Sequence, residues 1–156
     1  MKEISGGQKL AHKVLNLRLK LGRWMASNYD CNFNKNGKSN SPLTSRQYDI
    51  LVAVNEWNLH TISDLNKLII LSKSSLSITL NKMVEEGYLT REQAADEDDK
   101  RKVYFNITEK GINAYKGLDK IIIAAIEGYY NKLTDKQKKE VEACVESANN
   151  IFNEIE

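Results

Sequence analysis

Two cysteines, Cys31 and Cys144, and two histidines, His12 and His60, are all that this 156-residue chain offers of those residue types. The cysteines lie far apart in unlike surroundings, which excludes a disulfide framework. Neither histidine has a second His or Cys at a ligand spacing, so a conventional zinc site is excluded and no metal or other cofactor is expected. The same shortage leaves few nucleophiles and general bases, and no pair of carboxylates stands out, so the chain is not expected to be an enzyme. Proline occurs once, at Pro42, which leaves room for long helices. No stretch approaches the roughly eighteen apolar residues of a membrane span. The first residues, "MKEISGGQKLAHKVLNLRLKLG", scatter charges where a signal core would be apolar. A cytoplasmic protein with no membrane partner is the expectation.

What is present is ordinary globular material, 41% hydrophobic and 28% charged, enough for one domain with helical extensions. A net charge of +2 argues nothing about partners, but its distribution is uneven. Residues 1–40 carry Lys2, Lys9, Lys13, Arg18, Lys20, Arg23, Lys35 and Lys38 against Glu3 and Asp30 alone. In 72–105, by contrast, Lys73, Lys82, Arg91, Lys100, Arg101 and Lys102 meet seven acids, four of them in "DEDD" at 96–99. Bulk charge does not make the middle of the chain a nucleic-acid binder; geometry would have to.

Caps punctuate the chain. "TSRQ" at 44–47 and "TDKQ" at 134–137 have the Thr-x-x-Gln form of a capping box, and "TISD" at 61–64 is a looser version. Ser72 and Thr108 stand before helix-forming runs, and Gly87 follows one. With the apolar spacing, these signals predict helices over about 4–28, 45–57, 62–69, 73–86, 109–132 and 135–155. The alternation of Val103, Phe105 and Ile107 with Lys102, Tyr104 and Asn106 predicts a strand. "YLTRE" at 88–92 is its expected hairpin partner, with the acid-rich stretch at the tip. The outer helices carry more apolar surface than a small core needs. Leu118, Ile121, Ile122, Ala125, Ile126 and Tyr129 recur at three or four residues, as do Val141, Cys144, Val145, Ala148, Phe152 and Ile155. The expectation is that these helices pack against a second copy of the chain.

Helix, short helix, helix and two-stranded hairpin is the order of a winged helix-turn-helix. The segments "LTSRQYDIL", "TISDLNKLI", "SSLSITLNKMVEEGYLTR" and "DDKRKVYFNITEKG" together resemble the MarR family of transcription regulators. The most specific piece is Asp-x-Arg followed by an alternating strand and Ile-Thr-x-x-Gly, here Asp99, Arg101, Val103, Phe105, Ile107, Thr108 and Gly111. The resemblance covers residues 43 to 112 most strongly. The hairpin is about two residues longer than the family pattern, and Ile78 stands where many members carry a polar or basic residue.

The expected fold class is mainly α with a small β-hairpin wing. It comprises a winged helix-turn-helix over 43–107 and a helical dimerisation region formed by 1–42 and 108–156. On an extended strand Asp99 and Arg101 share a face, so the carboxylate can hold the guanidinium by a charge-assisted bond. The resemblance implies that Arg101 enters a minor groove, with Lys100 and Lys102 near phosphates and Arg91 as a further wing contact. In the fourth helix Leu76, Leu80 and Met83 form a buried stripe. Lys73, Ser74, Ser75, Ser77, Ile78, Asn81 and Lys82 are left facing outward, toward a major groove. The resemblance also implies a small-molecule effector between the dimer helices and the winged domain, where Trp24, Tyr48 and Trp57 are the candidate pocket residues. Cys144 lies on an apolar stripe, and Cys31 stands beside Asp30, whose charge discourages a thiolate, so oxidant sensing is not expected. The expected function is a sequence-specific double-stranded DNA-binding regulator, a repressor acting as a homodimer on a pseudo-palindromic operator. The alternative is a winged-helix module that binds protein, against which the basic wing speaks.

Overall fold

The computed structural model of the chain describes residues 6–33, 41–94 and 102–155. A long first helix, α1 (Gly6–Asn28), ends in a 3₁₀ turn at Asp30–Asn32. Three helices follow, α2 (Ser45–Glu56), α3 (Ile62–Leu68) and α4 (Lys73–Glu85). The strands β1 (Leu89–Gln93) and β2 (Val103–Ile107) then form an antiparallel ribbon, and α5 (Glu109–Tyr130) and α6 (Asp135–Ile155) complete the chain.

Each predicted helix is present, with its ends displaced by two residues at most, because the caps that announced them form. Thr44 and Gln47 close a reciprocal capping box at the start of α2. Gln137 N–H donates to Thr134 Oγ1 while Thr134 N–H donates to Gln137 Oε1, the same device ahead of α6. Thr61, Ser72 and Thr108 cap α3, α4 and α5 through the backbone N–H groups of Asp64, Ser75 and Gly111. Gly87 ends α4 with φ +74°, the left-handed conformation that favours glycine.

The core is centred on the winged part and reaches into α5 through Tyr115, Leu118 and Ile122. Leu43, Ile50, Leu51, Ala53, Leu65, Leu76, Leu80 and Met83 are fully buried, with Phe33, Leu89 and Phe105 close behind. Helix α2 is its centre. Tyr48, Ile50, Leu51, Ala53 and Val54 are buried, and Val52 is half-buried. The reason is that α2 is packed on three sides, by α5, β2 and α3. A third edge joins the ribbon near His60. Phe105 N–H donates to the His60 carbonyl (2.8 Å), and the Phe105 carbonyl lies 3.0 Å from His60 Nδ1. The turn before α3 is thereby fastened to the root of the wing.

The outer helices are not covered within the chain. Leu10, Val14, Leu17 and Leu21 of α1, Ile121 and Ile126 of α5, and Val141, Val145 and Ile151 of α6 are all exposed. Along α6, Ala148 is half-buried and Cys144 is exposed on the apolar stripe.

Candidate nucleic-acid interface

Three buried side chains, Leu76, Leu80 and Met83, fix the rotation of α4 about its axis. That leaves Lys73, Ser74, Ser75, Ile78, Asn81 and Lys82 exposed on the far side, with Ser77 half-buried at the margin. The first turn carries no acid, and the first acid of the helix is Glu85, at its end. The hydroxyls are not idle. Ser72 Oγ donates to Ser75 Oγ (2.8 Å), lies 3.1 Å from Ser74 Oγ, and accepts from Ser75 N–H. Thr79 Oγ1 donates to the Ser75 carbonyl. The serine run is thus partly a cap and partly a polar surface. Lys82 is held by Glu86 at 3.8 Å, on the exposed side of the helix. Glu86 in turn accepts from Gln47 Nε2 (2.8 Å), so the end of α4 is tied to the start of α2.

In the ribbon, Leu89 pairs with Ile107, Arg91 with Phe105 and Gln93 with Val103. Phe105 is buried, whereas Arg91 is exposed on the same face. Lys102 is exposed on the opposite face, beside Tyr104. The two basic residues therefore flank the ribbon. Asp99, Lys100 and Arg101 lie outside the described residues. Among the described residues, α4 packs against β1, whose middle residue is Arg91, and Lys102 stands just before β2.

The candidate effector residues are not brought to one place. Trp24 meets Tyr129 edge-on at 5.8 Å, joining α1 to α5. Tyr48 is buried against Phe33 (5.4 Å). Trp57, at the end of α2, is 57% exposed. Tyr48 and Trp57 line a groove of about 520 Å³, with Arg46, Asp49, Val52 and Ile70 around them; Trp24 does not. Cys31 is exposed, and its Sγ donates to the Ser27 carbonyl.

One set of residues gave no sequence signal. Tyr29 Oη donates to Asp49 (2.9 Å), Tyr48 Oη to Asp119 (2.7 Å) and Tyr115 Oη to Glu56 (2.8 Å). Asn55 Nδ2 donates to both Tyr115 Oη and Glu56. Apart from the Asn55–Glu56 bond within α2, these bonds join α2 to the outer parts of the chain, the 3₁₀ turn on one side and α5 on the other. Burial pushes the Tyr48 hydroxyl well above the usual tyrosine range, and the hydrogen bond to Asp119 adds to it. Burial, then Glu56, push Tyr115 up to about 12. The partners are 71 and 59 residues apart, beyond any local motif.

A winged helix DNA-binding domain model matches residues 43–111. AbsC from Streptomyces coelicolor, a MarR family transcriptional regulator, superposes with a TM-score of 0.65 over 98% of this chain and 99% of its own, at 20% identity. The chain has the MarR fold. Streptococcus pneumoniae FabT, solved in complex with DNA, gives a TM-score of 0.69 over 93% of this chain and 99% of its own, at 14% identity. In sequence, the uncharacterized HTH-type transcriptional regulator YwhA of Bacillus subtilis is 30% identical over 79 residues, 51% of this chain and 55% of that one. Within the MarR fold, α3 and α4 form the helix-turn-helix and β1 and β2 the wing. Among the described residues no group of His, Cys, Asp and Glu is placed to hold a metal, and no helix is long and apolar enough to cross a membrane.

Proposed function

We propose that this chain is a sequence-specific double-stranded DNA-binding transcription regulator, a repressor that acts as a homodimer on a pseudo-palindromic operator. The observation that carries the reading is α4, which presents an exposed hydroxyl and lysine surface opposite its core stripe, beside a two-stranded ribbon with Arg91 and Lys102 exposed. Lys73, Ser74, Ser75, Ser77, Ile78 and Lys82 enter a major groove, while Arg91, Lys100, Arg101 and Lys102 engage backbone and minor groove, with Asp99 orienting Arg101. The complex of FabT with DNA, on the same fold, supports this assignment. The uncovered apolar stripes of α1, α5 and α6 support the homodimer. Two copies of α4 would then meet half-sites about 34–36 Å apart. A small-molecule effector relieves repression by occupying the groove beside Tyr48 and Trp57, which adjoins the ties between α2 and α5.

Fluorescence anisotropy against a duplex from the protein's own promoter region, with a scrambled duplex beside it, tests the reading. Arg101→Ala should weaken specific binding by roughly tenfold or more, as the loss of one good groove contact implies, with the dimer intact by light scattering. Unchanged affinity would remove the wing from the mechanism.

A further inference from the structure

We propose that Ile78 reads the C5-methyl group of a thymine in the major groove, so that an A·T pair beneath the middle of α4 is specified by apolar contact. The inference rests on the reading of the chain as a DNA-binding regulator and carries it to a base and an atom.

The rotation of α4 is set by Leu76, Leu80 and Met83, none of which has any exposed surface. At about 100° per residue, Ile78 comes out almost diametrically opposite that stripe. It is therefore the crest of the helix, the side chain that would reach deepest into a groove. It is 70% exposed. Its neighbours one turn away, Ser74, Asn81 and Lys82, are polar and exposed, so it is an isolated apolar group and not the edge of a patch. A single exposed isoleucine is unremarkable on a surface at large. On the crest of a helix whose other far-side residues are polar, it has a chemical meaning.

The four base pairs offer the major groove hydrogen-bonding groups and a single kind of apolar group, the methyl of thymine. Guanine is read by a bidentate Arg or Lys. Helix α4 contains no arginine; Lys73 is its first residue, and Lys82 is near its end, 3.8 Å from Glu86. The centre of the helix therefore has no guanine reader. A β-branched side chain in a helix has one dominant χ1 rotamer, so Ile78 is presented to the groove with little freedom left to lose.

The test starts by enriching duplexes from a random pool on the full-length chain. Each thymine of the enriched half-site is then replaced singly by deoxyuridine, which lacks only the methyl group, and binding is read by fluorescence anisotropy at fixed salt. One thymine per half-site should lose roughly fourfold in affinity, the worth of burying one methyl-sized group. Ile78→Ala, folded by far-UV circular dichroism, should bind the thymine and deoxyuridine duplexes equally, while Ile78→Val should keep the difference. An enriched duplex insensitive to every such replacement would overturn the role of Ile78, as would sensitivity that survives Ile78→Ala; both would leave the regulator reading standing. Failure to enrich any sequence would overturn the regulator reading and this inference together.

Discussion

At the scale of the residue, two glycines show two different demands. Gly87 needs glycine for its backbone: φ is +74°, while a Cβ there would meet nothing closer than the Lys110 side chain at 3.9 Å. Gly111 needs it for space, since a Cβ would stand 2.3 Å from the Tyr88 carbonyl oxygen and 2.8 Å from an Ile107 carbon. Gly87→Ala should cost about 1 kcal/mol. Gly111→Ala should cost more, about 2–3 kcal/mol, because the Tyr88 backbone and the Ile107 side chain must both shift. Urea unfolding of the two variants checks the order. Tyr115 carries a pH signature. Its folded pKa, raised to about 12 by burial and Glu56, lies above the ordinary tyrosine value of about 10. The neutral hydroxyl is thus favoured by folding; the stability it contributes is complete below pH 10 and is lost as pH rises toward 12. Tyr115→Phe should flatten the fall of the urea midpoint across that window. A slope identical to that of the parent chain would mean that Tyr115 does not titrate there.

At the scale of the element, Thr108 is used three times. Its Oγ1 accepts from Gly111 N–H to cap α5, and it donates toward the Gly87 and Tyr88 carbonyls at 2.7 and 3.1 Å. It joins the end of α4, the start of β1 and the start of α5. Thr108→Val should therefore cost about 2 kcal/mol, the upper end for a cap, while Thr134→Val, whose capping box stands at an exposed end, should cost about 1 kcal/mol or less. Equal losses in thermal unfolding would show that the cross-element bonds carry no weight. The same comparison explains what could be read from the chain in advance. Thr44 with Gln47, Thr134 with Gln137, and the alternation from Lys102 to Ile107 are signals contained within a few residues, and each produced its element. The burial of Ile50 and Ala53 is not legible in the spacing of α2, because three neighbours enclose the helix where a local pattern marks one face. Trp24 has no place in the groove that Tyr48 and Trp57 line, because it packs on Tyr129 of α5 instead. The tyrosine–carboxylate bonds had no local signature at all, since a hydroxyl and a carboxylate from distant segments are paired by the fold alone.

At the scale of the whole molecule, the core is centred on the winged part, and the apolar stripes of α1, α5 and α6 are exposed. Within α1, Lys9, Lys13, Arg18, Lys20 and Arg23 face no acid of the same helix, while α6 beyond Lys139 carries Glu140, Glu142 and Glu146. Complementary charge beside complementary apolar stripes suits α1 of one copy to α6 of another. Leu17→Asp should convert the chain to a monomer by size-exclusion light scattering and weaken its hold on a two-half-site duplex far more than on a single half-site. A dimer of unchanged mass would place the contact elsewhere. The joint between α2 and the outer helices is built differently, from neutral hydroxyls donating to carboxylates. Dissolved salt screens attraction between opposite charges but has little grip on such short dipolar bonds. On the proposed reading, contacts with a polyanion should therefore fail on a salt gradient while this joint holds. A heparin column should release the protein with its tyrosine–carboxylate bonds intact, so what elutes is still folded for the next encounter.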